Sequence, residues 1–155
     1  MVVDGLFVHR LRTMLFVEET LAGEVLPLFR EHVHGSDLKY GLDRHLLETK
    51  AHAVAVRSML HDLGVQASPV EDPVLLGLMT EHERLMQLFP NDAMHAGLIA
   101  QGEHLEIAAY TWLRSTANAL GEEELAMRLQ EILEQEEYAL ELTEKALAKL
   151  LAERV

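Results

Sequence analysis

Four helix-length segments of this chain each carry a carboxylate near the midpoint. The carboxylates are those of Glu19, Glu48, Glu103 (with Glu106) and Glu136. An unpaired charge buried between packed helices is penalised by several kcal/mol or more. Four carboxylates at one height therefore require cations between them, and two-metal sites in four-helix bundles are built in this way.

The apolar residues recur at three- and four-residue steps and predict long amphipathic helices. The first helix is predicted over residues 6–34, with a kink at Pro27 because proline lacks the backbone donor. The second helix is predicted over residues 38–63 and is ended by Gly64. The short turn between these helices makes them antiparallel neighbours.

A longer connection follows the second helix. Asp72 and Pro73 predict the N-cap and the first residue of a short helix that reaches residue 88. We expect this crossover to carry the chain along the bundle, so that the third helix begins at the end where the first began. The third helix is predicted from a cap at Asn91 or Asp92 to residue 120, and the fourth after Gly121.

These elements predict one all-α domain over residues 1–155, an antiparallel four-helix bundle with one long crossover that contains a short extra helix. A rise of ~1.5 Å per residue puts the predicted helix midpoints at roughly residues 20, 50, 105 and 137. Midpoints of similar-length antiparallel helices lie at one height. The four carboxylates therefore converge if they all face inward.

Carboxylate and imidazole donors suit iron(II), manganese(II) and zinc(II). Our candidate ligands are Glu19, Glu48, His52, Glu103, Glu106 and Glu136. His52 is preferred because a Glu followed by a His is the usual order in such bundles, although the usual spacing is three residues. His45 is the alternative ligand, or a partner that orients Glu48. Tyr110 is placed to hydrogen-bond a ligand carboxylate.

Most other acidic and imidazole side chains are expected to have ordinary roles. A single glutamate at mid-helix is usually solvated, and we assign Glu18, Glu131, Glu134, Glu137 and Glu141 to the surface. The remaining histidines, His82 and His95 among them, are assigned to the surface or to packing.

Composition excludes several classes of function. A net charge of −13 repels phosphate backbones and anionic lipid, so we expect no nucleic-acid partner and no membrane partner. The lack of cysteine excludes a disulfide scaffold, a thiolate zinc site and a cysteine nucleophile. We see no basic leader before an apolar run, and no apolar stretch near the roughly 20 residues that span a bilayer. The expected location is the cytoplasm.

Three segments, LFVEETLAGEVLP, RHLLETKAHAVAV and EHLEIAAYTWL, resemble the YciE/YciF-like (DUF892) family of bacterial ferritin-like proteins. The order and the intervals match over roughly residues 11–147. The matching residues are Glu19 with Leu26 and Pro27, His45 with Glu48 and Thr49, Glu103 with His104, Glu106 and Tyr110, and Glu136 with Glu137.

The resemblance implies a ferritin-like bundle with two iron or manganese ions per chain, zinc being a substitute, and a homodimer. Members of the family are associated with bacterial stress responses. Our leading hypothesis for the reaction is oxidation of iron(II), or reduction of peroxide, at the dinuclear site, with peroxide or dioxygen as the oxidant. The chain departs from the family pattern at Val17, and it has Ala139 and Leu140 where a second histidine would follow Glu136. The rival expectation is a non-catalytic structural or interaction bundle with a vestigial or structural metal site.

Overall fold

Six α-helices and one π-helical turn make up the part of the chain that the computed structural model describes, residues 4–153. Residues 1–3 and 154–155 of the predicted domain lie outside it. In chain order the elements are α1 (Gly5–Thr20), the π turn (Leu21–Val25), α2 (Leu26–His32), α3 (Ser36–Asp62), α4 (Pro73–Leu88), α5 (Asp92–Ala119) and α6 (Glu123–Ala152).

The helix ends are fixed by the residues that predicted them. The Asp72 carboxylate accepts hydrogen bonds from two backbone amides at the start of α4, and the Asn91 side chain accepts one at the start of α5. Gly64 and Gly121, after α3 and α5, have φ of 70° and 76°. Residues other than glycine rarely adopt such positive φ values, so glycine ends the helix at low cost.

The expected kink at Pro27 takes the form of a π-helical turn. The amide of Leu26 donates to the carbonyl of Leu21, five residues earlier, just before the proline. Pro27 then lies in the first turn of α2, where a missing donor costs little. The π turn adds one residue to the helical repeat and leaves Leu21 and Val25 both buried.

The four long helical units pack as the predicted antiparallel bundle. The first helix (α1, the π turn and α2) lies against α3 and α5, and α6 lies against α3 and α5. Arg12 in α1 bonds the Gln66 carbonyl after α3, and Arg30 in α2 pairs with Asp43 early in α3, so the first helix and α3 run antiparallel. The all-α bundle with one long crossover containing α4 is confirmed.

The expected starting point of α5 is wrong. The Asp92 carboxylate, at the first residue of α5, accepts hydrogen bonds from the amides of His34 and Gly35. Thus α5 begins beside the end of the first helix, not beside its start. The reason is geometric: α3 returns the chain to the start of α1, and a crossover as long as the bundle then carries it to the opposite end.

The core is apolar at both ends of the bundle and polar at its middle. Fully buried apolar side chains include Leu11, Met59 and Leu129 at the end where α1 begins, and Val33 and Ala96 at the opposite end. Between these layers lies a level of buried carboxylates and imidazoles. Helix α4 lies outside the bundle, and only its Leu75 and His82 are buried.

Candidate metal centre

Four glutamates are buried at the middle of the bundle. Glu18 and Glu136 are 0% exposed, Glu103 is 2% and Glu106 is 4% exposed. They come from α1, α6 and α5. A buried carboxylate loses hydration that only hydrogen bonds or cations can replace.

Helix α3 faces the same level with His45, Thr49 and His52, all buried. The spacings of four and three residues keep these side chains on one helix face. In α1 the same spacing leads from Leu11 through Leu15 to Glu18. The amphipathic stripes of the bundle helices therefore bring these polar groups together without any break in the helical pattern.

The ligand atoms form two overlapping groups. In one, single donor atoms of His45, Glu103, Glu106 and Glu136 all lie within 4.8 Å of one another. In the other, those of Glu18, His52 and Glu136 do so. Glu136 belongs to both groups, which is the position of a bridging carboxylate.

The imidazoles lie close to the carboxylates of their groups. His45 Nε2 is 2.9 Å from Glu103 Oε1, and its Nδ1 is 4.0 Å from Glu136 Oε2. His52 Nδ1 is 2.8 Å from Glu136 Oε1 and 3.6 Å from Glu18 Oε1. Separations in this range suit ligands that share one ion, with metal–ligand bonds of about 2.0–2.2 Å.

Eight buried side-chain atoms in the described residues have no hydrogen-bond partner, and seven of them belong to the two ligand groups. Two of them, His52 Nδ1 and Glu136 Oε1, lie 2.8 Å apart and pair with each other when His52 is protonated. Buried polar atoms are nearly always paired, so the concentration of the others fits a site that a cation completes. Four ionised carboxylates carry four negative charges, which two dications would balance. The donor set of carboxylate oxygens and imidazole nitrogens fits iron, manganese or zinc. The eight atoms are Glu18 Oε2, His45 Nδ1, Thr49 Oγ1, His52 Nδ1, Glu103 Oε2, Glu106 Oε1 and both Oε atoms of Glu136.

The pKa values of the buried glutamates and histidines show which of these groups carry charge in the metal-free protein. Burial raises the pKa of Glu18, raises that of Glu106 well above its usual range and raises that of Glu103 to about 7. Burial also opposes charge on the imidazoles, but the nearby carboxylates outweigh it. They raise the pKa of His45 to about 9 and that of His52 to about 11. Metal-free protein therefore carries imidazolium–carboxylate pairs, whose protons a metal must displace.

The centre has two supporting side chains. The Tyr110 hydroxyl, fully buried, donates a hydrogen bond to the Glu18 carboxylate. His52 Nε2 lies 2.7 Å from the amide oxygen of Gln135. With Nε2 donating to Gln135, the Nδ1 atom of neutral His52 is free to ligate a metal beside Glu136. Gln135 was missed from the sequence, where only its place before Glu136 distinguishes it.

The structure brings together most of the predicted ligands. His52, Glu103, Glu106 and Glu136 all lie in the two groups, and His45 lies there as well. Sequence reasoning left His45 and His52 as alternatives for one position. In the structure each belongs to a different group.

Two predicted ligands, Glu19 and Glu48, lie in neither group. Glu19 pairs with Arg57 at the surface, and its side chain is 37% exposed. Glu48 Oε1 lies 2.9 Å from Arg44 Nε, away from the centre. Glu18, which the sequence assigned to solvent, occupies the place expected of Glu19. Thr49 rather than Glu48 faces inward from α3.

The usual two-metal bundle has a Glu from each of two helices and a Glu-x-x-His pair from each of the other two. In this chain α3 carries Thr49 three residues before His52, and α6 carries buried Ala139 three residues after Glu136. One carboxylate and one imidazole of that layout are thus replaced. His45 and Glu103 supply another imidazole and another carboxylate about one turn away.

A carboxylate–histidine centre between four helices with one long crossover defines the ferritin-like class of proteins. Within that class, the chain belongs to the family described as Domain of unknown function (DUF892), which matches residues 3–155. No curated protein matches the chain.

Three solved structures are similar to this fold. The E. coli stress protein YciF has 21% identity, 95% coverage of both chains and a TM-score of 0.88. YcfI, a putative structural protein from Rhodopseudomonas palustris, has 28% identity, 90% coverage of both chains and a TM-score of 0.86. A dodecameric thioferritin from Bacteroides fragilis has 17% identity and a TM-score of 0.75, with 96% of this chain and 88% of that chain covered. Among residues 4–153, no helix combines the length and apolar character of a membrane span.

Proposed function

We propose that the chain binds two iron or manganese ions in a dinuclear centre, with zinc as a substitute. Glu136 carries the proposal, because it belongs to both ligand groups and its buried Oε2 has no hydrogen bond. Glu18, His52 and Glu136 would hold one ion. His45, Glu103 and Glu106 would hold the other, together with Glu136.

Two iron(II) ions held here would supply two electrons to a small oxidant, so that hydrogen peroxide with two protons would give two water molecules and dioxygen with two protons would give hydrogen peroxide. The chain contributes the carboxylates that balance the metal charge, Tyr110 to orient Glu18, and Gln135 to fix the His52 ring. We infer iron(II) oxidation or peroxide reduction in a cytoplasmic stress response, supported by the family membership and by the likeness to the E. coli stress protein.

Metal content tests this proposal directly. The protein is expressed with iron and manganese supplied, purified without a histidine tag and analysed by mass spectrometry. We expect about two equivalents per chain, as in carboxylate-bridged bundles. Glu136→Gln should lose both ions because it removes the bridge. Glu137→Gln, at the exposed neighbouring position, is the matched control and should retain them. A metal-free wild type would refute the proposal.

A second candidate is a structural or interaction bundle that keeps a metal without turnover. Thr49 and Ala139, which replace two ligands of the usual layout, favour it, and so does the likeness to a putative structural protein. A structural metal raises the melting temperature because it binds only the folded state. Metal-dependent melting without oxidation of iron(II) by dioxygen or peroxide would select this function.

We also propose a homodimer formed through α3. Tyr40, Leu47 and Val54 are 67%, 70% and 70% exposed and recur at seven-residue intervals. This spacing places them on one face of the helix. Large apolar side chains aligned in this way are typical of an association surface.

A further inference from the structure

Two cavities lie between α4 and the bundle, beside the proposed metal centre. They have volumes of about 50 and 130 Å³, are partly open to solvent and share five lining residues: Leu21, Leu75, Leu78, Gly102 and Glu106. Helix α4 contributes the outer wall through Leu75 and Leu78. Leu75 and His82 are the only buried residues of α4, so this helix covers the cavities and joins the core mainly through Leu75.

The walls are mostly apolar, although His82 lines the first cavity and Arg10 and Asp72 line the second, and the inner end is polar. Val25, Leu26 and Phe29 line the first cavity, and Met14 and Val17 line the second. Glu106 borders both cavities, and its buried Oε1 has no hydrogen bond. The apolar space therefore ends at a carboxylate of the proposed second ion.

Gly102 keeps the region between the two cavities open. It lies inside α5, one residue before Glu103, and a Cβ added there meets no atom within 4 Å. Glycine destabilises a helix interior relative to alanine. Its presence here leaves space that a side chain would occupy, next to Glu106.

We propose that the space beside Gly102 is a binding site for dioxygen. From this site dioxygen reaches the proposed metal centre at Glu106. Space with mostly apolar walls favours small apolar molecules over polar ones. Hydrogen peroxide and hydrated ions would lose hydrogen bonds there. The role at the metals rests on the proposed function and selects dioxygen as oxidant: two iron(II) ions become iron(III), and dioxygen with two protons becomes hydrogen peroxide.

Methyl NMR of the metal-free protein under dioxygen or nitrogen tests the binding site without any metal. Dioxygen is paramagnetic and speeds the relaxation of nearby methyl groups. We expect a larger enhancement at Leu21, Leu75 and Leu78 than at Leu60 and Leu129, which are fully buried away from the cavities. An equal effect on both sets would overturn the proposal.

Side chains that fill the space provide the second arm. Gly102→Leu should abolish the enhancement. Gly97→Leu, the same change at another α5 glycine that borders neither cavity, should preserve it. Leu78→Phe fills the space from the outer helix and should act like Gly102→Leu if that variant fails to fold. Persistence of the enhancement in both filled variants would refute the site.

The role at the metals has its own measurement. With iron(II) bound anaerobically to equal affinity, Leu78→Phe should slow oxidation by dioxygen several-fold, and Gly97→Leu should not. An unchanged oxidation rate would overturn the proposed route. If the wild type shows the methyl enhancement but binds no iron, the dioxygen site is supported and the metal function fails.

Discussion

The phenolic hydroxyl of Tyr110 in α5 donates a hydrogen bond to the carboxylate of Glu18 in α1. Both side chains are fully buried. The bond joins two helices at the level of the candidate centre and orients Glu18, whose Oε1 lies 3.6 Å from His52 Nδ1. Tyr110 thus belongs to the support of the ligand set as well as to the core.

Removing this hydroxyl should destabilise the metal-free protein. Tyr110→Phe leaves a buried carboxyl group without its donor, and an unsatisfied buried group costs about 1–3 kcal/mol. Urea denaturation followed by circular dichroism measures the loss. Tyr40→Phe, in which the tyrosine is 67% exposed, is the control and should change the free energy of unfolding by less than about 0.5 kcal/mol. Equal effects of the two substitutions would contradict a structural role for the hydrogen bond.

Adjacent glutamates should differ sharply in their effect on metal content. Glu18→Gln removes a buried ligand of one ion, so we expect about one equivalent of metal to be lost per chain. Glu19→Gln removes only a surface pair with Arg57, worth at most about 1 kcal/mol, and should leave metal content unchanged. Mass spectrometry of both purified variants decides the matter. Metal loss in Glu19→Gln alone would restore the ligand first expected from the sequence.

The sequence predicted the helices but misplaced one ligand in α1, and the π turn explains why. Counted backward in three- and four-residue steps, the stripe of Leu26, Phe29 and Val33 reaches Glu19. Counted forward in the same way, Leu11 and Leu15 lead to Glu18. The two stripes differ by one residue, and the π turn over Leu21–Val25 supplies that residue. No periodicity in the sequence shows where an extra residue enters a helix.

The choice between Glu48 and Thr49 was ambiguous for a different reason. Both positions lie three or four residues from His45 and His52, so both lie near the same face. Packing of α3 against its neighbours decides which one turns inward, and the structure selects Thr49. His45 and Glu103 take over from the two ligands that the usual layout would have at Thr49 and Ala139. This replacement likewise depends on contacts between helices, which the spacing along one helix does not show.

The buried imidazole pair of His82 and His95, outside the candidate centre, should make the stability of the protein depend on pH. His82 Nε2 lies 3.4 Å from His95 Nδ1, and the Phe29 ring stacks on His82. Burial, together with His95 and His32, lowers the pKa of His82 to about 4. Because the unfolded pKa is about 6.5, the stability that neutral His82 provides is complete above that pH and is lost as pH falls toward 4.

The expected size of this loss is on the order of 2 kcal/mol. Metal-free wild type and His82→Leu are compared by urea denaturation at neutral and acidic pH, which removes contributions common to both. His82→Leu should lose less stability on acidification. His104→Leu, at an exposed position, should follow the wild type. Parallel pH profiles for wild type and His82→Leu would contradict the assignment.

A charge placed in the exposed stripe of α3 should separate the proposed dimer. Leu47 is the central member, with Tyr40 and Val54 one heptad away on either side. A stable interface buries about 800 Å² per partner, which requires most of the length of α3 rather than a single contact. Leu47→Glu would bury an unpaired carboxylate at the centre of that face.

Light scattering should give twice the chain mass for wild type and the single-chain mass for Leu47→Glu. Leu88→Glu, at the end of α4, introduces the same charge at a site 57% exposed and should remain dimeric. A wild type that is monomeric, or a Leu47→Glu variant that stays dimeric, would show that α3 does not pair the chains.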